Sequence, residues 1–296
     1  LDMTELLARG PRTPAEELRV EIYDRVNALG IGAQGLGGLI SVLDVKLRTC
    51  PAHAASLPVA LFPNCAATRH VHFHLDGTGS ATFVPPDLAD WPDLPGPENA
   101  FGRQVDLDGL DANVVRDWKV GESLLLSGTL YTGRDAAHRR MVEMLSRGET
   151  LPVDLRNKVI YYVGPVDPVR DEVVGPAGPT TSARMDRYLD VVLPRTGLRA
   201  MIGKAERSPA GVAAIARNGA AYLIAVGGAA FLVSQAIRSA RIVAWPDLGM
   251  EAIYELEVRD MPVIVAVDPA GRSLHESGPA AWRGRHSATK STSGSG

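Results

Sequence analysis

"KVIYYVGPV" (residues 158–166) is an unbroken apolar run closed by a Gly-Pro pair, and it predicts a short buried strand. The next distinctive stretch, "GPAGPTTSARMD" (175–186), predicts a stiffened turn entering a helix that continues through "TSARMDRYLDVVL". Downstream, "RAMIGKA", "PAGVAAIARNG" and "AAYLIAVGG" read as strand, helix and strand, followed by a helix to about Arg238. "RIVAWPD", "EAIYELEV" and "PVIVAVD" then read as strands. Upstream, "ESLLLSGTLYTG" is a strand pair or one bent strand, and "DAAHRRMVEMLSRG" is a helix closing on Gly148. Alternation of this kind specifies an α/β fold in which helices cover a mixed sheet.

The first part of the chain has a different texture. "TPAEELRVEIYDRVNALG" predicts a helix with Thr13 as N-cap, Pro14 at the first helical position, Glu16 and Glu17 at the positive end and Gly30 as the stop. Leu18, Ile22 and Val26 supply its expected buried stripe. "SVLDVKLRT" and "SLPVALFP" read as strands. Residues 76–104 are dense in proline and glycine without periodicity, which places a linker at 81–104 between a part ending near residue 80 and a second part at 105–279. The small, polar residues 280–296 predict a disordered tail.

With 296 residues, 45% hydrophobic and 22% charged, the composition is that of an ordinary globular protein, long enough for two domains of roughly 150 residues. A net charge of −3 gives no electrostatic footprint for nucleic acid. Charges interrupt every apolar run before the ~18 residues a membrane span needs, and "LDMTELLARGPRTPAEE" has no secretory pattern, so a cytoplasmic protein is expected. The two cysteines, Cys50 and Cys65, are not expected to form a disulfide in that compartment.

Several patterns carry possible chemistry. "GIGAQG" (30–35) satisfies a dinucleotide-binding string, but it follows a helix instead of a strand, so the phosphate geometry is absent. "MIGKAE" has Leu198 where a P-loop needs its first glycine and Ala205 where it needs a hydroxyl. His70, His72 and His74 alternate with Val71 and Phe73, which reads as the solvated face of an edge strand more than as a metal site. Asp135 suits a helix cap, and Arg134 beside it suits a clamp for a planar carboxylate. In "GPAGPTTSARMD" the turn is expected to leave several N–H groups unpaired at a helix start. Thr180 and Thr181 then share a helical face with Arg184. With Arg134 and Lys204 also at strand ends, the residues gather cations and hydroxyls fit for a small dicarboxylate.

In order along the chain, "GIGAQGLGG", "HAASLPVA", "NCAATRH", "SGTLYTGRDAAHRRM", "YYVGPV", "GPAGPTTSARMD", "IGKAERS" and "DLGMEAIYELEV" resemble the iron-sulfur-dependent class I fumarases and the related L-tartrate dehydratases. The resemblance covers nearly all of residues 18–279. It implies the C-terminal part of an α/β cluster-binding domain (1–80), followed by a swivelling β/β/α-type substrate-binding domain (105–279). It also implies a hydro-lyase interconverting fumarate and malate, a homodimer, and a 4Fe-4S cluster with one open iron acting as Lewis acid. Matched motif by motif, Cys65 resembles a cluster ligand and His53 an active-site histidine. Arg134, Thr181, Arg184 and Lys204 resemble the substrate clamp, and Thr180 resembles the hydroxyl that takes the C3 proton.

Two departures stand out. Ala205 replaces the family's usual glycine after the lysine. The resemblance also implies an N-terminal stretch, absent here, that carries two further cluster cysteines and a catalytic aspartate, so the chain reads as a C-terminal fragment or as one chain of a split enzyme. Such a cluster needs three thiolates, and only Cys65 matches a ligand position; Cys50 does not. A dehydratase for tartrate or a related dicarboxylate, and a non-catalytic dicarboxylate-binding module, are the alternative readings.

Overall fold

In a computed structural model the described residues are 2–64, 76–79, 102–168, 172–225 and 230–285. They form an α/β fold divided into two compact units, Leu1–Lys46 with Phe101–Gly296, and Leu47–Ala100.

The first unit is built on seven strands: β1 (Arg103–Asp106), β2 (Ser123–Thr132), β3 (Val159–Tyr161), β4 (Ala200–Gly203), β5 (Ala221–Ala225), β6 (Ile237–Ala244) and β7 (Ile253–Val267), in the order β1-β2-β3-β4-β5-β7-β6. Strands β1 to β5 are successively parallel, whereas β7 runs antiparallel to β5 and β6. Strand β7 also pairs antiparallel with β2 from Ser123↔Ile264 to Tyr131↔Glu255. The pairings β2-β3-β4-β5-β7-β2 therefore close a circuit, which satisfies backbone groups that an open sheet would leave at its edges.

The apolar run of the central strands is explained by burial on both faces. Val159, Tyr161 and Val163 join one core cluster with Leu124, Leu126, Ile202, Leu223 and Val263. Ile160 and Tyr162 point the other way, into a cluster with Met201, Tyr222 and Ile224. Helices α4 (Asp135–Ser146), α5 (Leu189–Thr196) and α6 (Pro209–Arg217) cover this second face through Met141, Leu189, Val192 and Ile215. Each fully buried aromatic or aliphatic side chain contributes about 1.5–3 kcal/mol. "ESLLLSGTLYTG" is one strand, bulged between Leu126 and Gly128. At the bulge Gly128 has φ +110°, and a Cβ there would stand 3.0 Å from Asp108 Oδ2. "EAIYELEV" and "PVIVAVD" form the single strand β7 instead of two, with Asp260 in the left-handed region (φ 53°) between them.

The remaining helices are α1 (Met3–Arg9), α2 (Pro14–Ala28), α3 (Ala112–Arg116), α7 (Ala230–Ala236) and α8 (Leu274–Trp282). In α2, Thr13 Oγ1 accepts from Glu16 N (3.2 Å) as its cap. The expected buried stripe is not there: Leu18 is 43% exposed, Ile22 and Val26 are half-buried, and Asn27 is the buried residue. Asn27 explains why "SVLDVKLRT" is not a strand. Its Oδ1 accepts from Ser41 N (2.7 Å) and Val42 N (2.9 Å), and its Nδ2 donates to Val42 O (3.2 Å). Arg19 Nε donates to Val45 O (2.7 Å), so side chains take backbone groups that a ladder would use. The glycine string is a short 3-10 turn, Ala33–Gly35, and packs closely on Gly37 and α8. Helix α8 carries ordered chain to Trp282, beyond the start of the expected tail; residues 286–296 lie outside the described residues.

Within the second unit, residues 47–64 and 76–79 are described and contain no helix or strand. "SLPVALFP" is therefore not a strand; Pro58 and Pro63 bring no N–H to a ladder, and Leu57, Val59, Leu61 and Phe62 are 81–91% exposed. Cys65, the His70, His72 and His74 pattern and most of the linker lie outside the described residues.

Candidate functional site

Parallel strands β2, β3 and β4 are neighbours, so their carboxyl ends open together. Arg134 follows β2 at the start of α4, Gly164 follows β3, and Lys204 follows β4. The threonine motif is brought back to this rim by fixed anchors: Gly175 N donates to Val166 O (2.8 Å), and the Tyr161 hydroxyl donates to Ala177 O (2.6 Å).

Thr180 N then donates to Tyr162 O (2.7 Å), Lys204 N to Thr180 O (3.2 Å) and Ser182 N to Lys204 O (3.1 Å), so Thr181 and Lys204 form a parallel bridge. This corrects the sequence expectation. The motif does not open an α-helix with unpaired N–H groups; it extends the sheet beside β4, and a 3-10 helix (Ser182–Tyr188) precedes α5. Thr181 makes no capping hydrogen bond, leaving its exposed hydroxyl at the rim. Gly203 is required here, because a Cβ would overlap Ser182 Oγ. Ala205 keeps the turn after Lys204 in the left-handed region (φ 63°), the conformation a glycine would adopt without strain.

The cations are linked to this frame by short contacts. Arg134 lies across Gly164, where a Cβ would stand 2.7 Å from Nη1. Its Nη2 is 3.6 Å from Glu251 Oε1, and its buried Nε has no hydrogen-bond partner among the described residues. Asp135 does not cap α4; Glu251 does, its Oε2 accepting from Ala136 N (2.7 Å). Arg184 Nη2 lies 3.0 Å from Asp135 Oδ2. Lys204 is exposed and makes no ion pair among the described residues. Arg134, Thr180, Thr181, Arg184 and Lys204 are thus joined through direct neighbours on one rim.

Below the rim is a buried polar layer that the sequence did not single out. His138 is fully buried, with Nδ1 2.9 Å from Arg134 O. Burial lowers its pKa to about 4, which the hydrogen bond to Arg134 partly opposes and Arg207 reinforces. The neutral ring therefore donates from Nδ1 to the Arg134 carbonyl. It stacks edge-on against Tyr162 and lies tilted beside Tyr188. Arg207, with a 0% exposed side chain, lies over the rings of both Tyr162 and Tyr222 (5.5 and 5.0 Å to the centroids), with Nη2 2.6 Å from Asp186 Oδ1. That pair is close without an aligned N–H. Burial favours a neutral Arg207, but the Tyr162 and Asp186 oxygens outweigh it and hold the guanidinium charged. Signals for this layer sat inside strings already quoted: His138 in "RDAAH", Asp186 in "TSARMD", Arg207 in "KAERS".

His53 belongs to the other unit, exposed, with Nδ1 accepting from Ala55 N (3.1 Å). Cys65 lies outside the described residues and Cys50 is exposed. Among the described residues no group of three His, Cys, Asp or Glu could hold a metal, and none of the helices is long and apolar enough to cross a membrane.

Comparison with known proteins agrees with the family resemblance. The chain is 32% identical over 273 residues to "Fumarate hydratase class I, anaerobic" of Escherichia coli, covering 88% of this chain and 48% of that protein. It is 34% identical over 253 residues to "Fumarate hydratase 2" of Leishmania major (83% and 44%). Against "Putative L(+)-tartrate dehydratase subunit beta" of Methanocaldococcus jannaschii it is 40% identical over 167 residues, covering 55% of this chain and 86% of that one. The chain spans about half the length of the fumarate hydratases it matches. Residues 3–74 match the family described as "Fumarate hydratase (Fumerase)" and residues 77–278 the one described as "Fumarase C-terminus", and the chain therefore belongs to the fumarase family.

Proposed function

We propose that this chain supplies the dicarboxylate-binding part of a hydro-lyase that interconverts fumarate and (S)-malate in the cytoplasm, within a homodimeric enzyme. What supports the reading is the Thr181–Lys204 bridge at adjoining strand ends, with Arg134 held beside Glu251 and Arg184 beside Asp135 on the same rim. Two carboxylates need two cationic subsites, and arginine's planar fork matches a carboxylate bidentately. Lys204 adds a point charge and Thr181 a neutral hydroxyl. Thr180, half-buried and tied by its backbone to both Tyr162 and Lys204, holds the proton that leaves or joins C3. A threonine hydroxyl is a weak base, and cations on the same rim lower the cost of its charged form.

The family's 4Fe-4S cluster would supply Lewis acidity toward the substrate hydroxyl. The described residues do not fit it: they contain one cysteine, exposed Cys50, and no metal-holding group. The chain's two cysteines fall short of three thiolates. We assign Cys65 as one ligand, with two further thiolates from polypeptide outside these residues. His53 is assigned beside the substrate on resemblance.

Two measurements test this. Anaerobic iron-sulfide reconstitution of these 296 residues alone should leave iron well below four per chain; near-stoichiometric iron would overturn the ligand assignment. In the complete enzyme containing this chain, Arg134→Met and Lys204→Met should each lower kcat/KM for fumarate by about 100-fold or more, chiefly through lost positioning and charge. Unchanged kinetics would remove the clamp. The 40% identity to a tartrate dehydratase subunit favours a second reading, tartrate dehydration, and comparing rates on malate and L-tartrate separates the two. A chain that binds malate without iron, in an enzyme that turns over neither acid, would be a binding module only.

A further inference from the structure

We infer that Arg207, which reaches no rim position itself, is a positioning residue that holds the threonine–lysine bridge in register for the dicarboxylate; this rests on the function proposed above. Each strand of that bridge is tied to a side chain packed on Arg207. Tyr162 carries the carbonyl that receives Thr180 N, and its ring lies against the guanidinium. The Tyr222 hydroxyl, on the second ring packed against Arg207, is 2.8 Å from both Ser182 Oγ and Ala205 O. Ala205 O can only accept, so Tyr222 donates to it and takes the Ser182 proton. One tyrosine thereby ties the residue after Thr181 to the residue after Lys204.

Arg207 is itself fixed from the far side. Asp186 Oδ2 accepts from Ser208 N (2.7 Å) at the start of α6, and Oδ1 faces the guanidinium. A Cβ on Gly211 would stand 2.7 Å from that carboxylate, so the glycine lets α6 approach. His138 extends the layer to the third strand end by packing on Tyr162 while bonding Arg134 O. A buried arginine whose three nitrogens find no aligned acceptor among the described residues is costly to fold around. The geometry assigns that cost to a rigid planar cation packed against two rings, which a flexible lysine or an apolar residue would not reproduce.

The experiment uses the complete hydratase containing this chain, with Arg207→Lys, Tyr222→Phe, Arg134→Met as clamp reference and Val115→Ala, a remote core truncation in α3, as stability control. Fumarate kcat and KM are measured with melting temperature and amide exchange at Thr180, Ser182 and Lys204. Arg207→Lys should lower kcat/KM about 100-fold and Tyr222→Phe about 10-fold, as expected for sub-ångström misplacement of binding groups. The three amides should exchange faster in both. Val115→Ala should change neither kinetics nor these amides even where its melting temperature falls as far. Unchanged kcat/KM and unchanged amide protection in Tyr222→Phe overturn the inference, whether or not Arg207→Lys folds. Full activity in Arg134→Met would instead sink the dicarboxylate reading, while the amide exchange would still report on Arg207.

Discussion

Two arginine–aspartate pairs, both involving the same motif, behave as opposites. Arg184 and Asp135 meet at 3.0 Å with side chains 49% and 24% exposed; Arg207 and Asp186 meet at 2.6 Å with side chains 0% and 9% exposed. In the first, water screens the charges, so the pair contributes little and its arginine can exchange one carboxylate partner for another. In the second, neither charge has water to return to, so each depends on the other. The exposed rim keeps an exchangeable partner, and the buried layer beneath it keeps a fixed one.

The sharpest way to break this comparison is Asp186→Asn, which keeps an oxygen for Ser208 N and removes only the charge. It leaves the Arg207 guanidinium buried without a counter-ion, and should cost about 3–5 kcal/mol in urea unfolding. A loss under about 1 kcal/mol would mean that water reaches Arg207 and that the two pairs are alike.

Acid sharpens the same contrast. His138 titrates at about 4 in the folded chain against 6.5 ordinarily, because it is buried among Tyr162, Tyr188 and Arg207. Above pH 6.5 both states carry a neutral imidazole and the group has no effect. As pH falls from 6.5 toward 4 the unfolded chain takes up a proton that the folded chain refuses, so stability drops, by about 3 kcal/mol over the interval. His138→Asn, whose amide can still donate to Arg134 O, should flatten that part of the stability–pH curve. An unaltered slope would place the acid sensitivity in other groups.

The sequence exposed these two levels unequally. Strands buried on both faces announce themselves as apolar runs, which is why "KVIYYV" and "AAYLIAV" were readable, and the cations just past strand ends followed from them. Backbone partners distant in sequence leave no local pattern. Gly-Pro followed by Thr-Thr-Ser-Ala-Arg is good helix-start chemistry, yet Thr180 and Ser182 bond to Tyr162 and Lys204 and the segment extends the sheet. "SVLDVKLRT" alternates as a strand should, but Asn27 and Arg19 capture its backbone. His138 and Arg207 sit in helix and loop strings that look solvent-facing, since burial of a polar side chain depends on packing partners and no periodicity encodes it.

The smallest effect is the one that tests the exposed pair. Asp135→Asn should change unfolding free energy by less than about 1 kcal/mol, since a half-exposed ion pair gains little over two solvated charges. Its kinetic consequence has a definite sign. If Arg184 releases Asp135 when a dicarboxylate arrives, the aspartate competes with substrate, and its neutral replacement should lower KM for fumarate without raising kcat. If Asp135 instead holds Arg184 in its working position, the same replacement raises KM. The direction of that one change therefore decides whether the rim pair is a placeholder or a brace, with stability nearly unaltered in either case.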